Sequence, residues 1–259
     1  TVTYPAPTTT GTCGTVTCTP ASGSSFVVGV TTVTCTTAAG PSCSFTVTVN
    51  DTQLPTLTCP ANITLNTGAG ICTAVATYTT PTASDNCPGA TVTCVPASGS
   101  TFAKGVTTVT CTAKDASNNM AMCSFTVTVN DTQNPAITCP ANIALNAASG
   151  QCSAVATYTT PTPTDNCPGA TAACVPASGS TFNVGTTTVT CTATDASSNT
   201  ATCTFTVTVT DNQNPTLTCP ANVTTNATTG QCSAAVTYTV PTASDNCPGA
   251  TVACVPNTG

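Results

Sequence analysis

The chain has 259 residues, a formal net charge of −6 and only 4% charged residues, and it carries 20 cysteines but no His and no Trp. Lys104 and Lys114 are its only basic residues and all eight acidic residues are Asp, which removes the electrostatic term that nucleic-acid binding requires. With no His, Glu or Arg, proton exchange and charge stabilisation lack their usual carriers, and the chain reads as no enzyme.

So many regularly spaced cysteines point to an oxidising compartment, secreted or at the cell surface. The absence of His and of a repeated Cys-x-x-Cys pair argues against zinc. No apolar run approaches the roughly 18–20 residues needed to cross a bilayer, and no membrane span is expected. The chain starts at Thr1 without a Met or a charged-then-apolar leader, as a mature piece or a window of a longer secreted protein would. Alternating Val and Thr with 40% hydrophobic residues argue for sheet and against disorder.

In chain order, residues 1–50 read as a partial unit entering midway, through Thr15-Val16-Thr17-Cys18, Phe26, Gly29 to Cys35 and Cys43 to Val49. A complete unit spans 51–130: the linker Asp51 to Pro55, the turn Cys59-Pro60-Ala61-Asn62, the loop Ser84 to Gly89, Pro96 to Phe102, Gly105 to Ala113, then Cys123 to Val129. It returns almost letter for letter at 131–210, a period of 80 residues from Asp51 to Asp131 to Asp211, and such a period means tandem domains. Residues 211–259 begin a further unit and carry it to Cys254-Val255-Pro256. The partial ends would leave unpaired sheet edges. Either the chain is cut from a longer array, the preferred reading, or neighbouring molecules complete each other by strand addition.

Period-two alternation assigns the faces of the complete unit. Leu57, Cys59, Ile63 and Leu65 share one parity, as do Cys72, Ala74, Ala76 and Tyr78, then Val92 and Cys94, Val109, Cys111 and Ala113, and Cys123, Phe125, Val127 and Val129; these should face the core. Thr108, Thr110, Thr112, Ser124, Thr126 and Thr128 take the solvent side. Gly and Pro punctuate the strands, no window has helical periodicity, and the spacing indicates an all-β sandwich.

The Cys59-Pro60 turn, the Ser84-Asp85-Asn86-Cys87 loop, Gly99 to Phe102, the Gly105 to Cys111 strand and the Cys123 to Val129 ending together resemble the hyalin repeat (HYR) family over essentially the whole chain. The resemblance implies tandem immunoglobulin-like β-sandwich domains, stapled by disulfides, in adhesive or matrix proteins outside the cell. It also implies that Cys59 is tied to Cys123, the pair kept by relatives with two cysteines.

Six cysteines per unit allow fifteen pairings. Cys87 and Cys94 are close in sequence, and their counterparts Cys13 and Cys18 occur together, which suggests a local bridge. That leaves Cys72 with Cys111, an inter-sheet bond. The second unit repeats the set as Cys139 with Cys203, Cys167 with Cys174 and Cys152 with Cys191. A competing solution joins Cys59 to Cys72 and Cys111 to Cys123.

Each complete unit has three Asp: Asp51, Asp85 and Asp115, then Asp131, Asp165 and Asp195. In such a sandwich the entering linker and the two loops share one pole. Hard oxygen ligands there suit calcium, with Asn86, Asn118 or carbonyls completing the shell. The bland alternative is that each Asp caps its own turn. Asn-x-Ser/Thr sequons occur at Asn50, Asn62, Asn130, Asn222 and Asn226, candidate glycosylation sites, and the Thr rows add sites for O-glycans.

The reading is an extracellular structural or adhesive repeat protein, a stiff rod or the body of a surface filament, glycosylated and associating with itself or with matrix proteins. The alternative is a carbohydrate- or ligand-binding adhesin module, which would present one defined cavity; against it, aromatic residues are only 4%. Ice binding through the Thr rows is a remote option, since β-propensity explains the same residues.

Overall fold

The structure, a computed structural model, describes residues 1–10 and 14–255. Gly11, Pro256 and Cys13, the expected counterpart of Cys87, lie outside the described residues. Every helix or strand element among those described is a strand. The chain divides into two compact units, Thr1–Leu65 with Thr73–Val129 and Asn66–Cys72 with Asn130–Gly259. The loop 66–72 therefore belongs structurally with the second repeat, although its sequence belongs to the first.

Each complete repeat is a β-sandwich built on a four-stranded sheet. In the first the spatial order is Ile63–Asn66, Met120–Asn130, Gly105–Lys114, Thr91–Val95, and in the second Ile143–Asn146, Thr200–Thr210, Gly185–Thr194, Thr171–Val175. In the first repeat the pairs Thr56–Leu57 with Ala83–Ser84 and Thr73–Val75 with Thr101–Ala103 supply the opposing layer. The long hairpin runs in register from Gly105 opposite Val129 to Lys114 opposite Met120, setting Val109 against Phe125 and Cys111 against Cys123.

Alternation along these strands puts Val109, Cys111, Ala113, Phe125, Val127 and Val129 in the core with Phe102, while Thr108 and Thr110 stay exposed. Burying one such face is what drives two short-stranded layers together. Tyr78 meets Phe125 edge to face at 5.0 Å and its hydroxyl donates to the Pro96 carbonyl. Ser98 Oγ receives the Tyr78 N–H at 2.8 Å and donates to the Tyr78 carbonyl at 2.7 Å.

The entering strand of the second repeat lies parallel to the last one, with Ile143 opposite Val207, an offset of 64 residues. Asn142 extends that register, its Oδ1 accepting from Thr206 N at 2.9 Å, and Asn62 does the same for Thr126 N at 2.9 Å. Cys139 and Cys203 are likewise 64 apart and bonded, as are Cys59 and Cys123, so this disulfide continues the parallel pairing.

The remaining pairings correct two expectations. Cys94 lies directly opposite Cys111 with Cα atoms 4.0 Å apart and bonds to it, as Cys174 bonds Cys191 and Cys18 bonds Cys35. That match withdraws Cys94 from Cys87 and Cys111 from Cys72. Cys72 instead bonds Cys167, and Cys152 bonds Cys247, both across 95 residues. The competing set, Cys59 with Cys72 and Cys111 with Cys123, is not formed either. Among the described residues Cys43, Cys87, Cys219, Cys232 and Cys254 carry free thiols.

The partial units follow the same rules. Val16–Thr19, Gly29–Thr37 and Ser42–Val49 form a three-stranded sheet burying Val33 and Cys35, and Tyr4 meets Phe45 at 4.9 Å. At the other end Thr216–Thr218 pairs with Thr242–Ser244, leaving Leu217, Val223 and Val240 exposed.

Candidate functional site

The aspartates occupy turns that their side chains close. Asp85 and Asp165 each accept, through Oδ2, the N–H of the Cys two residues on, at 3.1 and 3.2 Å. Asp51, Asp131 and Asp211 accept from Gln53, Gln133 and Gln213 N in the same way, the Asx-turn habit of short carboxylates. Asp195 Oδ1 takes the N–H groups of Ser197 and Asn199 at 2.8 Å, and Asn199 Nδ2 donates to Asp195 Oδ2 at 2.8 Å and to the Asp131 carbonyl at 3.2 Å. Asn119 repeats this with Asp115 and Asp51. Asn118 and Ser198 hold positive φ, 73° and 70°, and their left-handed conformation turns the following Asn back onto the aspartates. Asn119, rather than the expected Asn118, is thus the amide at this pole.

In the second repeat the three turns converge. Asp131, Asp165 and Asp195 each bring a carboxylate oxygen within 4.8 Å of the others, and Asp131 and Asp195 are only 7% and 6% exposed. Residues 66–72 and 130–259 contain no Lys, Arg or His, so no side chain of this unit can neutralise them. Asp165 Oδ1 and Asn166 Oδ1 are buried and accept no hydrogen bond. Carboxylate and amide oxygens gathered without a counter-charge are the donor set of a hard cation.

The loop 66–72 closes over this pole. Thr67 Oγ1 donates to Asp131 Oδ1 at 3.4 Å, Gly70 N donates to Gln133 Oε1 at 3.1 Å, and Asn166 Nδ2 donates to the Ile71 carbonyl at 3.1 Å. Cys72 then bonds Cys167. The arrangement recurs around Asp211 and Asp245, where Asn246 Nδ2 donates to the Gln151 carbonyl at 2.8 Å, Gly150 N to Gln213 Oε1 at 3.0 Å, and Cys152 bonds Cys247. Thr67, Gln133 and the loop were not singled out in the sequence; the signal was Cys72, whose bond spans more than one period.

The first repeat is built differently. The group within 4.8 Å there is Asp51, Asp85 and Cys87, with Asp115 outside it, held by Asn119. Burial, then the hydrogen bond and charge of Asp51 and the charges of Asp85 and Asp115, push the Cys87 thiol up from its ordinary range, so it is a poor thiolate ligand.

The sequon residues Asn50, Asn62, Asn130, Asn222 and Asn226 are all exposed. An open cleft of about 420 Å³ beside Thr56 and Thr58 is lined mainly by Thr and Pro, with no aromatic ring, whereas a larger open cleft of about 660 Å³ in the first partial unit is lined by Tyr4, Pro5, Cys43 and Phe45, so aromatic rings are found beside the second cleft and not the first.

Residues 50–129, 130–209 and 210–258 match the HYR domain. Hyalin of Strongylocentrotus purpuratus is 38% identical over 190 residues, covering 68% of this chain and 16% of that protein. Hyalin of Lytechinus variegatus is 35% identical over 174 residues, covering 62% of this chain and 33% of that protein. The chain therefore spans a third or less of the length of these relatives. Among solved structures, Drosophila N-cadherin EC1-4 aligns with a TM-score of 0.36 at 15% identity, over 73% of this chain and 59% of its own. Mouse cadherin-23 EC22-24 gives 0.32 at 16%, over 70% and 74%.

Proposed function

We propose, from the premise that this chain belongs to the HYR domain family, that it forms part of an extracellular structural or adhesive rod whose joints hold calcium. The observation that carries the reading is the bond between successive repeats: Cys152 and Cys247, 95 residues apart in a chain of 80-residue period, join the second repeat to the one that follows. The covalent tie at that joint limits bending, and the short linkers closed by Pro55, Pro135 and Pro215 limit it further. Three carboxylates at the Asp131 pole would take a Ca²⁺ ion with Asn166 Oδ1 and carbonyls.

The nearly uncharged Thr surface is the place for glycans, and the exposed sequons are their candidate sites. Partners on this reading are further copies of the repeat or other matrix proteins, and no reaction is assigned to the chain. Negative-stain electron microscopy of the non-reduced protein, in calcium and after chelation, tests the rod: straight particles that become bent on chelation are expected, and globular particles in both conditions would refute it. A secreted preparation whose mass equals the bare polypeptide would refute glycosylation.

A further inference from the structure

We infer that the disulfides make the continuity of the repeats independent of the backbone: no single peptide bond from Cys59 to Cys247 can be cut so that the chain falls in two, and the repeats part only where hydrolysis and disulfide reduction coincide. The inference goes beyond the rod and calcium readings above and holds without either.

A cystine keeps a nicked chain joined when the cut falls between its two cysteines, because each fragment retains one sulfur. Cys59–Cys123 covers the first complete repeat in this way and Cys139–Cys203 the second, each across 64 residues. These two alone would leave the linker between Cys123 and Cys139 uncovered. Cys72, carried by the strap that residues 66–72 form, closes that gap through its bond to Cys167, and Cys152–Cys247 does the same for the linker at 211–215. Their separation of 95 residues exceeds the 80-residue period, so Cys152 precedes Cys167 and the two spans overlap. A bond such as Cys94–Cys111, across 17 residues, reaches no linker.

The covered stretches include those a protease reaches. Thr132, Gln133 and Asn134 are exposed and belong to no strand, as are Asn212 and Asn214, and exposed irregular segments are where proteolytic cuts concentrate. The tip of the strap is exposed as well, from Ala69 to Ile71, and a cut there is spanned by Cys59–Cys123. With both linkers cut, the pieces 1–132, 133–212 and 213–259 still form one molecule. Cys72–Cys167 ties the first piece to the second, and Cys152–Cys247 ties the second to the third.

Parting the repeats therefore takes two separate chemistries. Hydrolysis adds water across the amide, leaves a carboxylate and an amine, and does not touch the cystine. An external dithiol transfers two electrons and two protons to the cystine and leaves as its cyclic disulfide, and this step does not touch the backbone. Cys167 is 3% exposed and Cys72 is half-buried, which restricts the approach of an attacking thiolate. In an oxidising compartment reduction is the rarer event, so cuts in the linkers accumulate without loss of repeats.

The test uses the intact oxidised chain carrying Thr132→Glu and Asn212→Glu. The sequence contains no Glu, so a glutamate-specific endoprotease, in a buffer where it spares Asp, cuts after positions 132 and 212 alone. Free thiols are alkylated first, and the digest is read on denaturing gels and by intact mass. Without reductant the expected result is one species with the mass of the whole polypeptide plus the water of two hydrolyses. With dithiothreitol it should fall into three pieces, and dithiothreitol without protease should leave the full chain. Release of 1–132 or 213–259 without reductant overturns the inference. Should the folded linkers resist the protease, digestion of the thiol-blocked protein in urea gives the same decision, because there the cystines alone hold the pieces. Peptide mass mapping of the unreduced species should recover Cys72 linked to Cys167 and Cys152 linked to Cys247; a species held together by other pairs overturns the inference.

Discussion

Cys111 has a cysteine opposite it on either side, Cys94 on one neighbouring strand and Cys123 on the other, and it bonds Cys94, which leaves Cys123 for Cys59. The two disulfides close loops of very different length, with separations of 17 and 64 residues. Chain-entropy reasoning gives about 3 kcal/mol for the short one and about 4 kcal/mol for the long one. Replacing Cys59 and Cys123 together by Ala should therefore destabilise the first complete repeat more than replacing Cys94 and Cys111, as read from urea unfolding by circular dichroism. The reverse order would show that cross-strand packing of the buried Cys111 outweighs loop closure.

Asp115 holds Asn119 through backbone N at 2.8 Å and through Nδ2 at 2.7 Å while itself 5% exposed. Asp115→Ala strands these donors and should cost roughly 2 kcal/mol. Asp115→Asn keeps one acceptor and should recover part of the loss. Denaturant midpoints of the three proteins make the comparison.

Asn62 and Asn142 play one structural part, each accepting a backbone N–H at 2.9 Å from Thr126 or Thr206. Changing either to Ala should lower stability by about 1 kcal/mol. Asn62 lies in a sequon and Asn142, followed by Ile143 and Ala144, does not. In protein secreted from a eukaryotic host, only the Asn62 change should remove a glycan-sized mass, since Oδ1 is engaged and Nδ2 is left for the sugar.

Burial raises the phenol pKa of Tyr78 and Tyr158 above 10.0. A group whose pKa is higher folded than unfolded contributes stability that is present in full below the unfolded value and lost as pH rises through the folded one. With free thiols blocked, the urea midpoint should be unaffected by these tyrosines at neutral pH and should fall above pH about 10. The double variant Tyr78→Phe/Tyr158→Phe should flatten that decline; an unchanged slope would assign it elsewhere.

The Cys87 thiol, raised by burial and by Asp51, Asp85 and Asp115, should react slowly with iodoacetamide at mildly alkaline pH compared with the exposed Cys43, because the thiolate is the nucleophile. Peptide mass spectrometry after timed alkylation gives both rates. Asp51→Asn should speed Cys87 and leave Cys43 unchanged.

Much of this architecture could be read from the amino acids because it repeats. The Val-Thr alternation from Val106 to Ala113 and from Ser124 to Val129 sets both the strand and its buried face, and the 80-residue period marks the modules. The strap could not be read in the same way. Six cysteines in each period invite a closed accounting within one repeat, and a bond from Cys72 to Cys167 breaks that accounting by reaching past it. Nor does sequence separate Asn118 from Asn119, because the choice depends on a left-handed backbone at the first of them. The gathering of Asp131, Asp165 and Asp195 follows from loop position, whereas nothing in the sequence marks that Asp115 stays outside the group of Asp51, Asp85 and Cys87.

The parallel register that aligns Cys59 with Cys123 also decides how the first complete repeat would answer a pull on its two ends. Tension entering at Asp51 reaches Cys59, crosses the cystine and leaves through the strand from Cys123 to Asn130, while residues 60–72 carry a second share through the Cys72–Cys167 bond, so residues 73–122 carry none of it. At about 3.5 Å per extended residue, such a repeat has roughly 50 Å of chain to release, against about 280 Å for the same length without the crosslink. Loss of the fold would then lengthen the molecule little: the sandwich can melt while the tether stays short, and the slack that an ordinary domain would pay out stays locked behind one sulfur–sulfur bond.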